Sequence, residues 1–265
     1  MVGVSNLNQI KAIVGECLES GEPSDRCEIM SGRSGSRGML MRVSVAEGPS
    51  VIVKVWRARK AREDLKRIFR TSSARREWRV HRHLQRAGLN LPRPLGFFVL
   101  SVDGRGVHEV MVTEDLGQTE RGFLHLKRLV AMGAEADIER FEKAVIDLTQ
   151  AMLRARVLDV DHQLHNVVVD GNGGLVRLDF ECGRYRLGRF PVSVYGTMLA
   201  RLVSSHVYAC QPEVERSGAF AEHLAQQIKP PAQVLAQAEE RIGRYLERQR
   251  TQHGIDSQLS LAWSP

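Results

Sequence analysis

Three polar side chains flank a short predicted hairpin in the middle of the chain. The stretch "VLDVDHQLHNVVVDGNGGLVRLDFE", residues 157–181, holds two strand-like runs joined by a glycine-rich turn, and Asp161, Asn166 and Asp179 bracket these runs. Phosphoryl transfer from a metal–nucleotide complex needs a carboxylate that accepts the proton of the attacking hydroxyl. It also needs two oxygen ligands for Mg²⁺. The spacing of the three residues fits this division of labour, with Asp161 as base and Asn166 and Asp179 as metal ligands.

A lysine and a glutamate in the first half of the chain are predicted to pair. Lys54 lies inside the apolar run "VIVKVW", where an ammonium group costs energy unless it is paired or binds a ligand. Glu77 lies on a predicted helix and shares its inward face with apolar residues: Ala74, Val80, Leu84 and Ala87. We therefore expect Glu77 to face Lys54, with a local pair to Arg76 or another neighbouring arginine as the alternative.

The elements that carry these residues change in character along the chain. An amphipathic helix at residues 7–18 precedes three strand-like runs, then a helix that begins near Ser72 and stops at Gly88, then two further strands. Beyond Gly117 the pattern is helical to about Gln252, apart from the hairpin. This order predicts an α+β protein with two lobes, a small antiparallel-sheet lobe at 1–115 and a mainly helical lobe at 116–265.

The composition is that of a globular protein with one strongly basic segment. The 265 residues carry a net charge of +7, and residues 57–86 hold twelve Lys and Arg against three acids. Such a segment suits either a solvated helix face or contact with an anionic lipid, glycan or nucleic acid. Few aromatic residues interleave with the basic ones, so nucleic-acid binding is not expected.

The cysteines and the apolar runs indicate the cellular compartment in which the protein is expected. The four cysteines have neither a CxxC pair nor zinc-finger spacing, which favours a reducing compartment. No secretory signal or membrane span is recognisable, so a cytoplasmic location is expected.

In these motifs the sequence resembles the protein-kinase-like superfamily, and within it the bacterial lipopolysaccharide kinases that phosphorylate Kdo or heptose of the inner core. The resemblance runs from Val51 to about Arg186 and includes "LKRIFRTSSARREWRVHRHLQRAGLNLPRPLGF". The motifs follow in the family's order: Lys54, Glu77, Thr113-Glu114-Asp115, Asp161, Asn166 and Asp179.

The resemblance implies a kinase-like fold and a set of roles. Lys54 binds the α- and β-phosphates of ATP, Glu77 holds Lys54, Asp161 is the catalytic base, and Mg²⁺ is held by Asn166 and Asp179. The backbone around Glu114 to Leu116 reads adenine. "SGRSGSRG" covers the phosphates through three glycines: Gly32, Gly35 and Gly38.

Two departures from protein kinases bear on the acceptor. The chain has Asp159-Val160-Asp161 in place of H-R-D, so the supporting histidine is absent, and Asp179-Phe180-Glu181 in place of D-F-G. Only a short segment follows before the next helix. The acid after Phe180 and the short segment favour a small-molecule or glycan kinase over a protein kinase. With the family resemblance, this implies an anionic glycolipid or sugar acceptor and the inner-membrane surface as partners; the sequence does not predict an oligomeric state.

Other functions remain open at this point. "DVDHQLHN" packs Asp159, Asp161, His162 and His165 closely enough to suggest a metallohydrolase. A pseudokinase or an atypical protein kinase could also keep the fold.

Overall fold

The computed structural model describes residues 4–32, 38–46, 48–57, 72–102 and 106–253. It comprises two compact units. The first contains Met1–Arg82 and Pro92–Leu116, and the second contains His83–Leu91 and Gly117–Pro265. An antiparallel sheet dominates the first unit and helices dominate the second, which confirms the predicted α+β class.

The first unit is built on a five-stranded antiparallel sheet with the order β1-β2-β3-β5-β4. Its strands are β1 (Cys27–Ser31), β2 (Gly38–Val43), β3 (Val51–Arg57), β4 (Pro94–Val102) and β5 (Gly106–Glu114). Alternate side chains of β3 point to opposite faces, so both faces can support a layer.

Helix α1 (Val4–Ser20) covers one face of this sheet. Gly96 in β4 allows the close approach, since a Cβ there would lie 2.7 Å from Leu7 Cδ1. The apolar stripe predicted for this helix is buried against the strands and comprises Ile10, Ile13, Val14, Cys17 and Leu18.

Helix α2 (Ser73–Arg86) begins where Ser72 Oγ accepts a hydrogen bond from Arg75 N–H at 3.3 Å, a typical N-cap. It ends just before Gly88, whose φ of 82° is the left-handed conformation that commonly terminates helices. Its first turns pack on sheet residues in a second apolar cluster of Trp56, Ala74 and Met111, flanked by Trp78 and Phe97.

Five α-helices lie wholly within the described residues of the second unit: α3 (Gly122–Met132), α4 (Glu135–Arg154), α5 (Val192–Cys210), α6 (Val214–Ile228) and α7 (Ala232–His253). Short strands lie among them: β6 (Glu120–Arg121), β7 (Val157–Asp159), β8 (Val167–Val169), β9 (Leu175–Arg177) and β10 (Gly183–Tyr185). The predicted hairpin is β8–β9, which pairs with β6. The β7–β10 ladder was not predicted.

Three of the four cysteines are buried, and Cys182, which precedes β10, is exposed. Burial raises the pKa of the Cys27 thiol to about 12 and that of Cys210 to about 12. None of the helices in the described ranges combines the length and the apolar character that crossing a membrane requires.

Candidate active site

The hairpin that mounts the candidate site is closed by its own turn. Val167 pairs with Arg177 and Val169 with Leu175. Asp170 Oδ1 accepts hydrogen bonds from the backbone N–H groups of Asn172 at 2.9 Å and Gly174 at 2.8 Å. Such a side-chain-capped turn fixes the register of a short hairpin.

Asp161 and Asn166 lie together just before β8. Asn166 Nδ2 donates to Asp161 Oδ2 and to the Asp161 carbonyl, both at 2.9 Å. Gln163 Nε2 donates to the other carboxylate oxygen at 3.1 Å. Because the amide nitrogen of Asn166 is directed at Asp161, the amide oxygen faces the opposite way, as a hard-cation ligand must.

Asp179 follows β9 in a left-handed conformation with φ of 55°, which Asp tolerates better than most residues. Its carboxylate is exposed and accepts the Glu181 N–H at 3.2 Å. Carboxylate oxygens of Asp179 and Glu181 lie within 4.8 Å of each other, close enough to share a cation. The carboxylate oxygens of these two residues are donors that suit Mg²⁺, and the participation of the Asn166 amide stays a prediction.

A buried ion pair that sequence reasoning missed lies behind this loop. Arg177 Nη2 contacts Asp159 Oδ2 at 2.8 Å, and both side chains are fully buried. Burial raises the pKa of the Asp159 carboxyl, and the adjacent Arg177 guanidinium opposes that rise. The sequence signal was a charged residue in the centre of the apolar run "GLVRLDF".

His162 is a buried structural residue. Thr149 Oγ1 donates to the Val145 carbonyl at 2.8 Å, so it accepts from His162 Nε2, which lies 2.9 Å away. Burial and the nearby positive charge of Arg177 lower the pKa of His162 to about 3. The imidazole is therefore neutral at physiological pH.

The remaining histidine of the loop, His165, stacks on Phe123 with ring centroids 4.2 Å apart. Asp159 and His162 already have buried partners. Within the described residues, the four side chains of the metallohydrolase hypothesis do not converge on a common metal position. The geometry argues against that alternative.

Two further contacts hold the loop against the helices of its unit. Leu164 N–H donates to Ser205 Oγ of α5 at 3.0 Å. Gly122 at the start of α3 lies so close that an added Cβ would be 3.2 Å from the Leu164 carbonyl and 3.3 Å from the Val167 carbonyl. The loop backbone is thus held in place by close contacts with α5 and α3.

In the first unit, the predicted ion pair is present. Lys54 Nζ of β3 lies 2.9 Å from Glu77 Oε2 of α2. The Glu77 side chain is 4% exposed and the Lys54 side chain 22% exposed. The ammonium group also lies 5.0 Å from the centroid of the Trp56 ring, a cation–π distance.

The residues predicted to read adenine lie at the end of β5. Glu114 accepts the Arg93 N–H at 2.7 Å, and Leu116 is half-buried after it. Asp115 between them accepts hydrogen bonds from Arg42 Nε at 2.8 Å and Ser50 Oγ at 2.7 Å. These bonds fix the segment, while the adenine contact stays a prediction.

The predicted phosphate-covering loop is only partly described. Gly32 has a φ of 83° after β1, and Gly38 opens β2. Gly35 lies outside the described residues, as does the central part of the basic segment, residues 58–71.

Two described arginines of the basic segment contact residues of the protein itself. Arg75 pairs with Glu109 at 3.2 Å, and the Arg82 guanidinium lies 5.6 Å from the Trp78 ring centroid. For this part of the segment the solvated-face interpretation is sufficient.

Comparison with known proteins identifies the family. A sequence model described as the lipopolysaccharide kinase (Kdo/WaaP) family matches residues 27–191, more than half of the chain. No protein of curated function matches the chain in sequence.

Among solved structures, "WaaP in complex with acyl carrier protein" is similar with a TM-score of 0.61 and 19% identity, over 90% of this chain and 91% of that chain. "ROP18 kinase domain in complex with AMP-PNP and sucrose" aligns with a TM-score of 0.45 and 14% identity, over 90% and 83%. The first likeness confirms the predicted kinase-like fold.

Proposed function

Because this chain belongs to the lipopolysaccharide kinase (Kdo/WaaP) family, and is therefore a phosphotransferase, we propose that it transfers the γ-phosphate of ATP to a sugar hydroxyl of the lipopolysaccharide inner core. The proposed acceptor sugar is Kdo or heptose. The observation that carries the proposal is the span of the family match, residues 27–191, which includes every polar residue of the predicted motif order.

Asp161 is the proposed catalytic base. The acceptor oxygen forms a bond to the γ-phosphorus while the bond to the bridging oxygen of ADP breaks, and the hydroxyl proton passes to a carboxylate. The contacts of Asp161 with Gln163 and Asn166 hold its carboxylate in one orientation. Such orientation is what positioning catalysis requires.

Asn166 and Asp179 are the proposed ligands of Mg²⁺, and Glu181 lies near enough to Asp179 to join them. When bound, the ion neutralises charge on the phosphates. Lys54, held by Glu77, is proposed to bind the α- and β-phosphates, and the backbone from Glu114 to Leu116 to bind adenine. The glycines at 32, 35 and 38 are proposed to cover the phosphates.

A peripheral location at the inner membrane is also proposed. The support is the local excess of nine positive charges in residues 57–86, on a chain whose total is +7. Basic residues attract anionic bilayers by about 1 kcal/mol each near the surface.

The direct test supplies γ-labelled ATP and Mg²⁺ with two purified acceptors, a lipid A precursor bearing Kdo alone and one bearing Kdo and heptose. Label in the first identifies a Kdo kinase, and label only in the second identifies a heptose kinase. Asp161→Asn is the control for contaminating kinases. Label in neither acceptor, with label in protein instead, would overturn the sugar-kinase proposal in favour of an atypical protein kinase.

A further inference from the structure

The buried Asp159–Arg177 pair has more contacts than those between its two members. Arg177 Nη1 donates to the Asn166 carbonyl at 2.9 Å, and Nη2 donates to the Asp161 carbonyl at 3.2 Å as well as to Asp159. The guanidinium therefore reaches the backbone of the proposed base and of a proposed metal ligand at once.

Asp159 also bonds the backbone of Asp161. Its Oδ1 accepts a hydrogen bond from the Asp161 N–H at 2.9 Å, while its Oδ2 accepts one from Arg177 Nη2. Both backbone polar groups of Asp161 are thus bonded to this one ion pair. A rotation of the peptide units that flank Asp161 would break at least one of these bonds.

A gain in folding stability does not by itself explain why a buried ion pair is present at this position. Two charges removed from water lose solvation that their mutual attraction only partly returns, and an apolar pair of similar volume is often as stable. The planar fork of Arg, however, can bond several fixed acceptors together, which an apolar side chain cannot do. The geometry therefore favours a role in orientation.

Strand β9 connects the pair to the other half of the site. Leu178 N–H donates to the Asn166 carbonyl at 2.8 Å, and Asp179 follows one residue later. The same carbonyl thus receives hydrogen bonds from Arg177 and from its neighbour. The loop that bears Asp161 and the strand that leads to Asp179 are held in one register.

We propose that Asp159 and Arg177 are positioning residues that orient the catalytic loop, in the place where protein kinases use the histidine of H-R-D. The inference rests on the proposed phosphotransfer function. It requires no contact of either residue with substrate.

The test replaces the pair by apolar residues of similar size, Asp159→Leu with Arg177→Met. If the pair orients the loop, this double variant still unfolds cooperatively, with some loss of Tm because the backbone bonds to the pair are gone, while kcat falls at least 100-fold and the KM for ATP changes less than threefold. Unchanged kcat in the folded double variant would overturn the proposal.

A conservative variant separates the fork from the charge. Arg177→Lys retains a cation for Asp159 but cannot bond three separate oxygens in one plane. We expect it to fold with kcat still reduced at least tenfold. Full activity in Arg177→Lys would show that charge alone suffices and would overturn the role assigned to the fork.

Glu142→Gln is the matched control. Glu142 accepts a hydrogen bond from the buried His206 at 2.9 Å, in the same unit, and the other ring nitrogen of His206 contacts Ser217 Oγ rather than the loop. The Glu142→Gln substitution should lower Tm and leave kcat unchanged. A loss of kcat here as large as in the double variant would mean that any buried disturbance of this unit impairs activity, which would overturn the specific role.

A readout without turnover keeps this test separate from that of the proposed function. The Asn166 side-chain amide protons, both directed at Asp161, should exchange slowly with solvent in the parent protein and at least tenfold faster in the double variant, as followed by NMR. Inactivity of the parent protein on both glycolipids would refute the acceptor assignment alone. Unchanged amide exchange would refute the positioning role alone.

Discussion

Removing Lys54 should destabilise the first unit more than removing its partner does. Lys54→Met leaves the Glu77 carboxylate, 4% exposed, without its cation, and breaking a buried pair in this way costs about 3–5 kcal/mol. Glu77→Gln leaves an ammonium group that is 22% exposed and already lies over Trp56, so its cost should fall below that range.

The two variants and their combination form a double-mutant cycle. We expect a coupling free energy of about 1–3 kcal/mol, since the two groups are in direct contact and poorly solvated. Urea unfolding followed by tryptophan fluorescence is a suitable assay, because Trp56 and Trp78 both belong to the first unit.

The Glu28–Arg42 pair is a matched control in the same unit, with side chains 65% and 34% exposed and a 3.3 Å contact. Its coupling should be only about 0.2–1 kcal/mol because solvent screens it. Additive effects of the Lys54 and Glu77 substitutions, or equal coupling in both cycles, would refute the conclusion that burial makes the Lys54–Glu77 interaction strong.

The remaining predictions concern catalysis, metal binding, pH and membranes. Asp161→Asn should lower kcat by about 10²–10⁴-fold, with Mg·ATP affinity unchanged in calorimetry, because the proposed base would contact the acceptor hydroxyl and not the nucleotide; lost nucleotide binding in a folded variant would contradict this role. Asp179→Asn should weaken Mg·ATP binding, and excess Mg²⁺ should partly restore it; an unchanged titration would reassign the metal site. The pKa of His162 is about 3 in the folded protein, whereas in the unfolded chain it has the usual value of a histidine. At pH values between the two, the unfolded chain therefore binds one more proton than the folded protein. The contribution of the neutral, buried His162 to the free energy of unfolding should therefore be complete above pH ~6.5 and decline as pH falls toward 3. In urea titrations, His162→Gln should not show this decline between pH ~6.5 and 3. Reversal of Arg59, Arg62, Lys66 and Arg70 to Glu should abolish binding to anionic vesicles at low salt while ATP binding persists; salt-insensitive binding, or equal binding to neutral vesicles, would exclude electrostatic docking.

Sequence patterns were sufficient where periodicity and turn chemistry act locally. The strand alternation around Lys54 and the inward stripe of α2 predicted a contact between residues 23 positions apart, which the structure contains. The glycine-rich turn at 171–174 likewise predicted the β8–β9 hairpin.

The missed features depend on contacts that no local pattern encodes. Arg177 lies in the centre of the apolar run "GLVRLDF", which indicates that its charge needs a partner but does not identify Asp159, 18 residues earlier, as that partner. The β7–β10 ladder escaped prediction because each strand is three residues long, too short for alternation to be visible. Ser205 donates to the Leu202 carbonyl of its own helix at 2.8 Å, and its contact with Leu164 across 41 residues leaves no sequence signature.

The uneven burial of the cysteines makes the chain a convenient subject for site-directed labelling. The high pKa values of Cys27 and Cys210 suppress their thiolates at neutral pH, and Cys17 is buried, whereas Cys182 is exposed three residues beyond Asp179. A thiol-reactive fluorophore should therefore attach at one position without prior removal of other cysteines. Placed there, the dye should report occupancy of the proposed metal–nucleotide site as a change in emission, and prior addition of nucleotide with Mg²⁺ should slow its attachment.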